Sequence, residues 1–92
     1  MVLEVIHNRR TARFELHGDG ELVGFADYHE RDDTTVVTHV ETVPQHRGKG
    51  CAAVLMAGLL DQLRADGRRV HAVCSYAVAY VRDHPDQHDL LA

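Results

Sequence analysis

A short loop rich in glycine and positive charge joins two segments of different character. It has the sequence Gln-His-Arg-Gly-Lys-Gly at 45–50, after a β-branched segment and before an apolar, helix-like one. Glycines let a backbone approach a ligand closely, and a helix that begins in such a loop presents unpaired N–H groups that bind phosphate oxygens. Because Arg47 and Lys49 add positive charge at the same place, the loop predicts a site for a pyrophosphate.

Two other interpretations of the loop stay open when it is considered alone. Residues 48–53, Gly-Lys-Gly-Cys-Ala-Ala, satisfy the G-x-G-x-x-A pattern of dinucleotide-binding folds. That pattern follows the first strand of its fold and needs an acidic residue about 20 positions later. Here several strand-like segments precede the loop, and the following strand ends in Cys74. The other interpretation is a simple glycine-containing turn between a strand and a helix.

Three side chains outside the loop could take part in proton transfer or nucleophilic attack. His39 suits a general base because imidazoles titrate near neutrality. Glu41, two residues on, projects from the same face of a strand and could orient His39. Cys74 could act as a thiolate nucleophile. The alternatives are a half-buried strand histidine at 39 and a small packed residue at 74, which is the common position of a free cysteine.

The elements on either side of the loop are indicated by the sequence periodicity. Residues 34–43 are β-branched almost throughout, which predicts the strongest strand of the chain, and Pro44 ends it. In Cys51–Ala65 apolar residues recur every four positions and predict a long amphipathic helix. Gly67 is well placed to end that helix.

Shorter patterns complete the order of elements. Strands are predicted at 2–6, 11–16 and 21–29, with turns at 17–20 and 30–33, and the second and third of these strands form a hairpin. A strand at 69–74 follows the long helix, and Ser75 is predicted to cap a short helix that runs to about 83. This order predicts an α/β fold with a mostly antiparallel sheet. A central β–loop–α–β unit adds one parallel or splayed pair, and the short helix is C-terminal.

Length and charge limit the kinds of protein this chain can be. With 92 residues, 45% of them hydrophobic and 26% charged, it has the composition of one globular domain, here 1–92. The net charge of -4 argues against nucleic acid as a partner. Residues 47–92 nevertheless carry six Arg or Lys against five acids, so this half could hold a small anion.

Neither a membrane nor a metal is predicted as a partner. The longest apolar run, 51–60, is far shorter than the ~20 residues that span a bilayer. The N-terminus lacks the order of a signal peptide, and two cysteines are too few for a disulfide scaffold, so a cytoplasmic protein is the expectation. His84 and His88 could share a metal, but Pro85 interrupts their helical spacing and no third ligand is evident.

Three ordered motifs resemble the GNAT superfamily of acetyl-coenzyme A-dependent N-acetyltransferases. Gln45-x-x-Gly48-x-Gly50 matches the Q/R-x-x-G-x-G/A loop of that superfamily. Residues 39–42, His-Val-Glu-Thr, are similar to the H-T-E-V segment of its small YjdJ-like subfamily. Residues 74–85 are similar to the C-terminal C-[SP]-[YF]-x-x-x-Y-[IV]-x-x-H-P pattern of the same subfamily. Together the motifs extend over roughly 11–90 of the chain, in compatible order.

The resemblance implies a minimal GNAT-like fold and transfer of acetyl from acetyl-coenzyme A to an amine. It implies that a backbone N–H of the fourth strand, at Val43 or its neighbours, polarises the thioester carbonyl. The residues implied to hold the cofactor lie at the end of that strand, in the loop and at the start of the helix: Thr42, Val43, Gln45, Arg47, Gly48, Lys49, Gly50, Cys51 and Ala52.

The resemblance also implies catalytic roles. By their own side-chain chemistry His39 and Glu41 would remove the proton of the amine, and the resemblance implies that Tyr80, with Tyr76 as second choice, would protonate the coenzyme A thiolate. Direct attack of the amine is the default, and an acetyl relay through Cys74 is the variant. The acceptor stays open between a small molecule and a protein lysine. A non-catalytic module that binds or senses acyl-coenzyme A is the alternative function, because the helices that usually build an acceptor site are missing from the sequence.

Overall fold

Five strands form one sheet in sequence order in the computed structural model, which describes residues 2–92. The first four strands are antiparallel neighbours, and the fifth joins the fourth in parallel. The predicted sheet, mostly antiparallel with one parallel pair, is therefore confirmed. The strands are β1 (Leu3–Asn8), β2 (Arg13–Gly18), β3 (Glu21–Arg31), β4 (Thr34–Thr42) and β5 (Arg69–Ala72).

Tight turns connect the central strands. Asp19 and Gly20 both have positive φ, 52° and 83°, which is the backbone of the two-residue turn whose twist suits a hairpin. The predicted hairpin of β2 and β3 is thus confirmed. The turn expected at 30–33 is shorter than predicted, because Arg31 pairs with Thr34 and only two residues remain to turn the chain.

One long helix covers one face of the sheet. Helix α1 (Cys51–Ala65) buries a leucine-rich stripe against Phe14, Leu16 and Val37, which belong to the same core cluster. We call the face that carries these three residues the helix-covered face and the opposite one the open face. Gly67 has φ 68°, in the left-handed region, as expected for the residue that ends the helix. Within residues 2–92, no helix is both long and apolar enough to span a bilayer.

Helix α1 approaches β1 most closely at Gly58. A Cβ atom at this position would lie 2.4 Å from Cγ2 of Val5. The amide nitrogen Nε2 of Gln62, one turn further along, donates to the Val5 carbonyl at 3.1 Å. The packing of α1 on the sheet therefore depends on the missing side chain at Gly58.

Replacement of Gly58 by alanine is expected to lower the free energy of unfolding by about 1–2 kcal/mol. Overpacking a core contact costs about 1–3 kcal/mol, and the better helix propensity of alanine offsets at most about 1 kcal/mol of it. Denaturant unfolding of Gly58→Ala, Val5→Ala and the double variant measures the effect. The double variant should be more stable than the sum of the single changes predicts, and strict additivity would contradict the contact.

A short helix and a turn complete the chain. Helix α2 (Ser75–Arg82) begins at Ser75, and its N-cap residue is Cys74 without a side-chain cap, so the predicted cap by Ser75 is wrong. Strand β5 also ends at Ala72, earlier than expected. Both differences have one cause: the N–H groups of residues 73 and 74 turn toward a single carbonyl of β4 instead of continuing a ladder. A 3₁₀ helix at Pro85–Leu90 follows α2.

Candidate functional site

Strands β4 and β5 separate halfway along β4. They are paired only over Thr34–Val37 and Arg69–Ala72. The Val37 carbonyl then accepts two hydrogen bonds, from the N–H of Val73 at 2.9 Å and from that of Cys74 at 3.3 Å. Beyond this point residues 38–42 of β4 have no partner in β5. The separation leaves a cleft between the end of β4 and the start of α2.

A β-bulge in β4 lies at the same point. Val37 is opposite Tyr28 and His39 is opposite Asp27, so Thr38 is an extra residue. Its Oγ1 donates to the Asp27 carbonyl at 3.2 Å. Because one inserted residue shifts every later side chain to the other face, the bulge directs His39 to the open face. Without it, His39 would point to the same face as the buried Val37.

The bulge also decides which backbone groups of β4 point into the cleft. The N–H of Val43 donates to the Val23 carbonyl at 2.8 Å, so the interstrand ladder already uses it and it is not free to polarise a substrate. Alternate residues direct their N–H and C=O to opposite sides of a strand. Val40 and Thr42 therefore direct theirs away from β3, toward the cleft. The Thr42 carbonyl accepts a hydrogen bond from Nε of Arg47 at 3.2 Å.

His39 and Glu41 are brought together on the open face. Nε2 of His39 lies 3.1 Å from Oε1 of Glu41, and both side chains are about half exposed. A carboxylate bound to one ring nitrogen orients the imidazole and fixes its tautomer. When Nε2 donates to Glu41, Nδ1 is the acceptor nitrogen and can take a proton from an incoming group.

Cys74 and Tyr80 lie on the other side of the sheet. Cys74 is half-buried against the core cluster, next to the point where β4 and β5 separate. Tyr80 belongs to the core, and its ring stacks on that of His84 at 3.8 Å. Burial raises the pKa of Tyr80, and it also raises the pKa of Tyr76, whose ring is 6.5 Å from that of Tyr80. A raised pKa keeps both phenols protonated and able to donate.

The glycine loop leaves space above its backbone. Gly48 and Gly50 have φ of 78° and 75°, and a Cβ atom at either position would meet no atom within 4 Å. Gly50 is the N-cap residue of α1 and supplies no side chain to the first-turn N–H groups. Those groups are free to bind an anion, and the exposed Arg47 and Lys49 flank them. The arrangement fits a pyrophosphate.

The predicted cofactor residues therefore fall into two groups. Thr42 ends β4 and Val43 directly follows it, and Cys51 and Ala52 begin α1, with the loop and a 3₁₀ turn between the two groups. Cys51 is buried, so its backbone N–H and not its thiol faces the loop side. Gln45, whose side chain is exposed in the 3₁₀ turn, is the most peripheral of the set.

Two residues near His39 were not predicted from the sequence. The Phe25 ring lies 6.0 Å from that of His39, and the Arg13 guanidinium lies 3.9 Å above the Phe25 ring. Phe25 belongs to β3, the strand next to β4, and Arg13 belongs to β2 beyond it. Alternation along β3 places Phe25 on one face of the strand, but no local pattern identifies the residue of β4 that pairs with it.

The histidines considered for a metal have other partners. Nδ1 of His84 is 2.6 Å from the Tyr80 carbonyl, and Nε2 of His88 is 2.9 Å from the Val81 carbonyl. Both rings thus bind backbone carbonyls in the last turn of α2, which need partners at a helix C-terminus. In the part of the chain from 2 to 92, no three metal-ligating side chains are grouped together.

Comparison with known proteins gives a consistent result for sequence and fold. Residues 13–90 match the sequence profile of the family described as GCN5-related N-acetyl-transferase. No curated protein sequence gives a significant match.

Three solved structures share the fold. A GCN5-like protein from Staphylococcus aureus has a TM-score of 0.69 at 16% identity, over 98% of this chain and 88% of its own. The ribosomal-protein-S18-alanine N-acetyltransferase of Escherichia coli has a TM-score of 0.66 at 20% identity, over 83% of this chain and 52% of its own. The ribosomal-protein-alanine N-acetyltransferase of Brucella melitensis biovar Abortus 2308 has a TM-score of 0.52 at 24% identity, over 88% of this chain and 64% of its own.

Proposed function

This chain belongs to the GCN5-related N-acetyltransferase family, and on that premise we propose that it transfers acetyl from acetyl-coenzyme A to an amine. The observation that carries the proposal is the open glycine loop. Gly48 and Gly50 hold a left-handed backbone with free space above it, at the uncapped start of α1. Coenzyme A carries a pyrophosphate that such a loop accommodates.

The other groups of the cleft have roles that follow from their positions. The pantetheine arm would lie along the unpaired part of β4, where the backbone groups of Val40 and the N–H of Thr42 are available for hydrogen bonds. A backbone N–H of this segment would polarise the thioester carbonyl, since a fixed donor stabilises the developing oxyanion. The N–H of Val43 itself is already bonded to the Val23 carbonyl, so this role falls to a neighbouring residue.

Proton transfer would be divided between the two sides of the sheet. His39, oriented by Glu41, would take the proton of the ammonium, so that the neutral nitrogen attacks the carbonyl carbon. As the C–N bond forms the C–S bond breaks, and Tyr80 would give its proton to the leaving thiolate. The nitrogen then loses its second proton, which restores the Tyr80 phenol by way of solvent, and the products are the acetamide and the coenzyme A thiol. The raised pKa of the Tyr80 phenol keeps that proton in place before the reaction.

Incubation with acetyl-coenzyme A in the absence of an acceptor is expected to leave the mass of the protein unchanged. Direct attack is the proposed route because Cys74 is half-buried against the core, whereas His39 lies on the open face. Intact-mass spectrometry of wild type and Cys74→Ala tests this. A gain of one acetyl group that requires Cys74 would establish the relay instead, in which the acetyl group passes to the Cys74 thiolate and coenzyme A leaves as its thiolate before the amine attacks.

The alternative is a module that binds acyl-coenzyme A without turnover. Calorimetric titration with coenzyme A and with NAD, followed by an assay of coenzyme A release with a panel of amines, separates the possibilities. Binding of coenzyme A together with acceptor-dependent release supports the proposal. Binding without release from any amine supports the module, and failure to bind coenzyme A would exclude both.

The proposal also covers the cellular location of the protein, its subfamily and its acceptor. We propose that residues 1–92 act as one domain in the cytoplasm, without a metal, and that the chain is of the small YjdJ-like type. The motifs at 39–42 and 74–85 support the last point. Two proteins with the same fold are named for acetylation of an alanine of a ribosomal protein, which makes a polypeptide amine a reasonable class of acceptor to test first.

A further inference from the structure

A single row of side chains crosses the open face from the candidate base to the outer strand. Glu41 lies opposite Phe25, Phe25 opposite Glu15, and Glu15 opposite Ile6, in four successive strands. Neighbouring strands are about 4.8 Å apart, so this row is roughly 14 Å long. Its two ends are open to solvent, with Ile6 39% and the Glu41 side chain 43% exposed. We call it the acceptor row.

The outer end of the acceptor row opens into a cavity of about 680 Å³. Val2 and Ile6 supply its apolar part, and Glu4 and Asp19 supply two carboxylates at its rim. His17 also lines the cavity, and its Nε2 lies 2.8 Å from Oε1 of Glu15 in the row. An apolar part with carboxylates at the rim suits a side chain with a methylene stem and a cationic head, that is, lysine or arginine.

Charge on the open face is complementary to a cation at the two ends of the row, near Glu41 and near Glu4, whereas the Arg13 guanidinium lies over Phe25 in its middle. Four carboxylates stand on this part of the sheet, and Arg13 is the guanidinium among them. Arg13 shows how a cation binds there: its Nε is 2.8 Å from Oδ1 of Asp27, and its guanidinium lies 3.9 Å above the Phe25 ring. The four carboxylates are those of Glu4, Glu15, Asp27 and Glu41.

The side chain of His39 is 52% exposed on the open face. His39 and Glu41 line neither the outer cavity nor a second one of about 370 Å³ at His7, Tyr28 and Arg68. Small ligands are usually held in pockets that bury most of their surface. Contacts elsewhere on the open face would add affinity for an acceptor at His39, and the acceptor row supplies such contacts.

We propose that the acceptor is an amine of an extended basic polypeptide lying along the acceptor row, with a second basic side chain in the outer cavity. This inference rests on the proposed acetyl transfer. The acceptor nitrogen lies beside His39, loses its proton to the imidazole and forms the C–N bond while the C–S bond breaks. Extended chain advances about 3.3 Å per residue, so the roughly 14 Å row places the second basic residue about four positions from the acceptor.

Acetylation of three synthetic peptides tests the inference. Each peptide has one acceptor lysine in a Gly/Ser/Ala background and carries arginine, alanine or glutamate four residues away, on either side. The arginine peptide is expected to have a kcat/KM about tenfold above the alanine peptide, because a charge-assisted contact is gained in the cavity. The glutamate peptide should be the poorest, and lysine amide and a linear polyamine should be poorer than the arginine peptide.

A double variant, Glu4→Gln with Asp19→Asn, should remove the preference for arginine by raising KM while kcat stays unchanged. Its matched control is Asp32→Asn with Asp61→Asn, which changes the net charge equally. Asp32 has φ 54°, close to the 52° of Asp19, so the two asparagine substitutions are made in similar backbone. The control should keep the preference of the wild type.

The possible failures are distinguishable. Equal rates for the three peptides, or better turnover of lysine amide or the polyamine, would overturn the inference and leave acetyl transfer intact. Equal losses for every amine in the double variant would also overturn it, because the cavity would then support the fold only. If coenzyme A does not bind and no amine is acetylated, the proposed function fails and the inference falls with it.

Discussion

Replacement of Gly50 by alanine is expected to weaken coenzyme A binding at least about tenfold, which corresponds to about 1.4 kcal/mol. Gly50 has φ 75° and open space where a Cβ atom would stand. A methyl group there would occupy the approach to the first-turn N–H groups of α1, and it would strain a backbone that L-residues avoid. Calorimetric titration with coenzyme A measures the loss.

Gly20→Ala separates ligand exclusion from backbone strain. Gly20 has φ 83° and likewise no atom within 4 Å of its Cβ position, but it lies in the turn between β2 and β3. Both variants should lose a similar amount of stability, about 1–2 kcal/mol, and only Gly50→Ala should lose affinity. Wild-type affinity in a folded Gly50→Ala protein would show that the pyrophosphate binds elsewhere.

Replacement of His39 by glutamine is expected to lower kcat/KM by about 10²- to 10⁴-fold, the usual contribution of a positioned general base. Coenzyme A affinity should not change, because His39 points to the open face and the loop lies beyond Val43. Glu41→Gln should cause a smaller loss, since it removes the charge that orients the imidazole and keeps an acceptor oxygen. Initial rates of coenzyme A release over a range of amine concentrations measure both.

The matched control for His39 is His29→Gln. His29 is an exposed histidine of β3 that lies opposite Val36, on the same face of the sheet. The His29→Gln variant should retain the wild-type rates. If His39→Gln were as active as His29→Gln, another group or solvent would remove the proton. If His39→Gln lost coenzyme A binding as well, its role would be structural.

Several features of the site follow from local sequence. The order of strands and helices, the hairpin of β2 and β3, and the end of α1 at Gly67 depend on short-range patterns of β-branched residues, leucines and glycines, and the structure confirms them. The loop at 45–50 is also a local feature, because its glycines lie between one strand and the helix that follows. Local patterns failed at Ser75, where the turn toward the Val37 carbonyl makes Cys74 the N-cap.

The sequence by itself determined the family, the order of elements, and the position of the glycine loop between β4 and α1, because each of these is encoded by residues close together in the chain. Only the tertiary structure decided that His39 and Glu41 face the open side of the sheet. The extra residue Thr38 is responsible, and no local pattern marks it. The bulge exists because the register between β3 and β4 differs by one residue on its two sides. Pairing between strands also creates the acceptor row, whose members lie between 6 and 41. Such contacts depend on strand pairing between residues far apart in the chain, which local sequence patterns do not show.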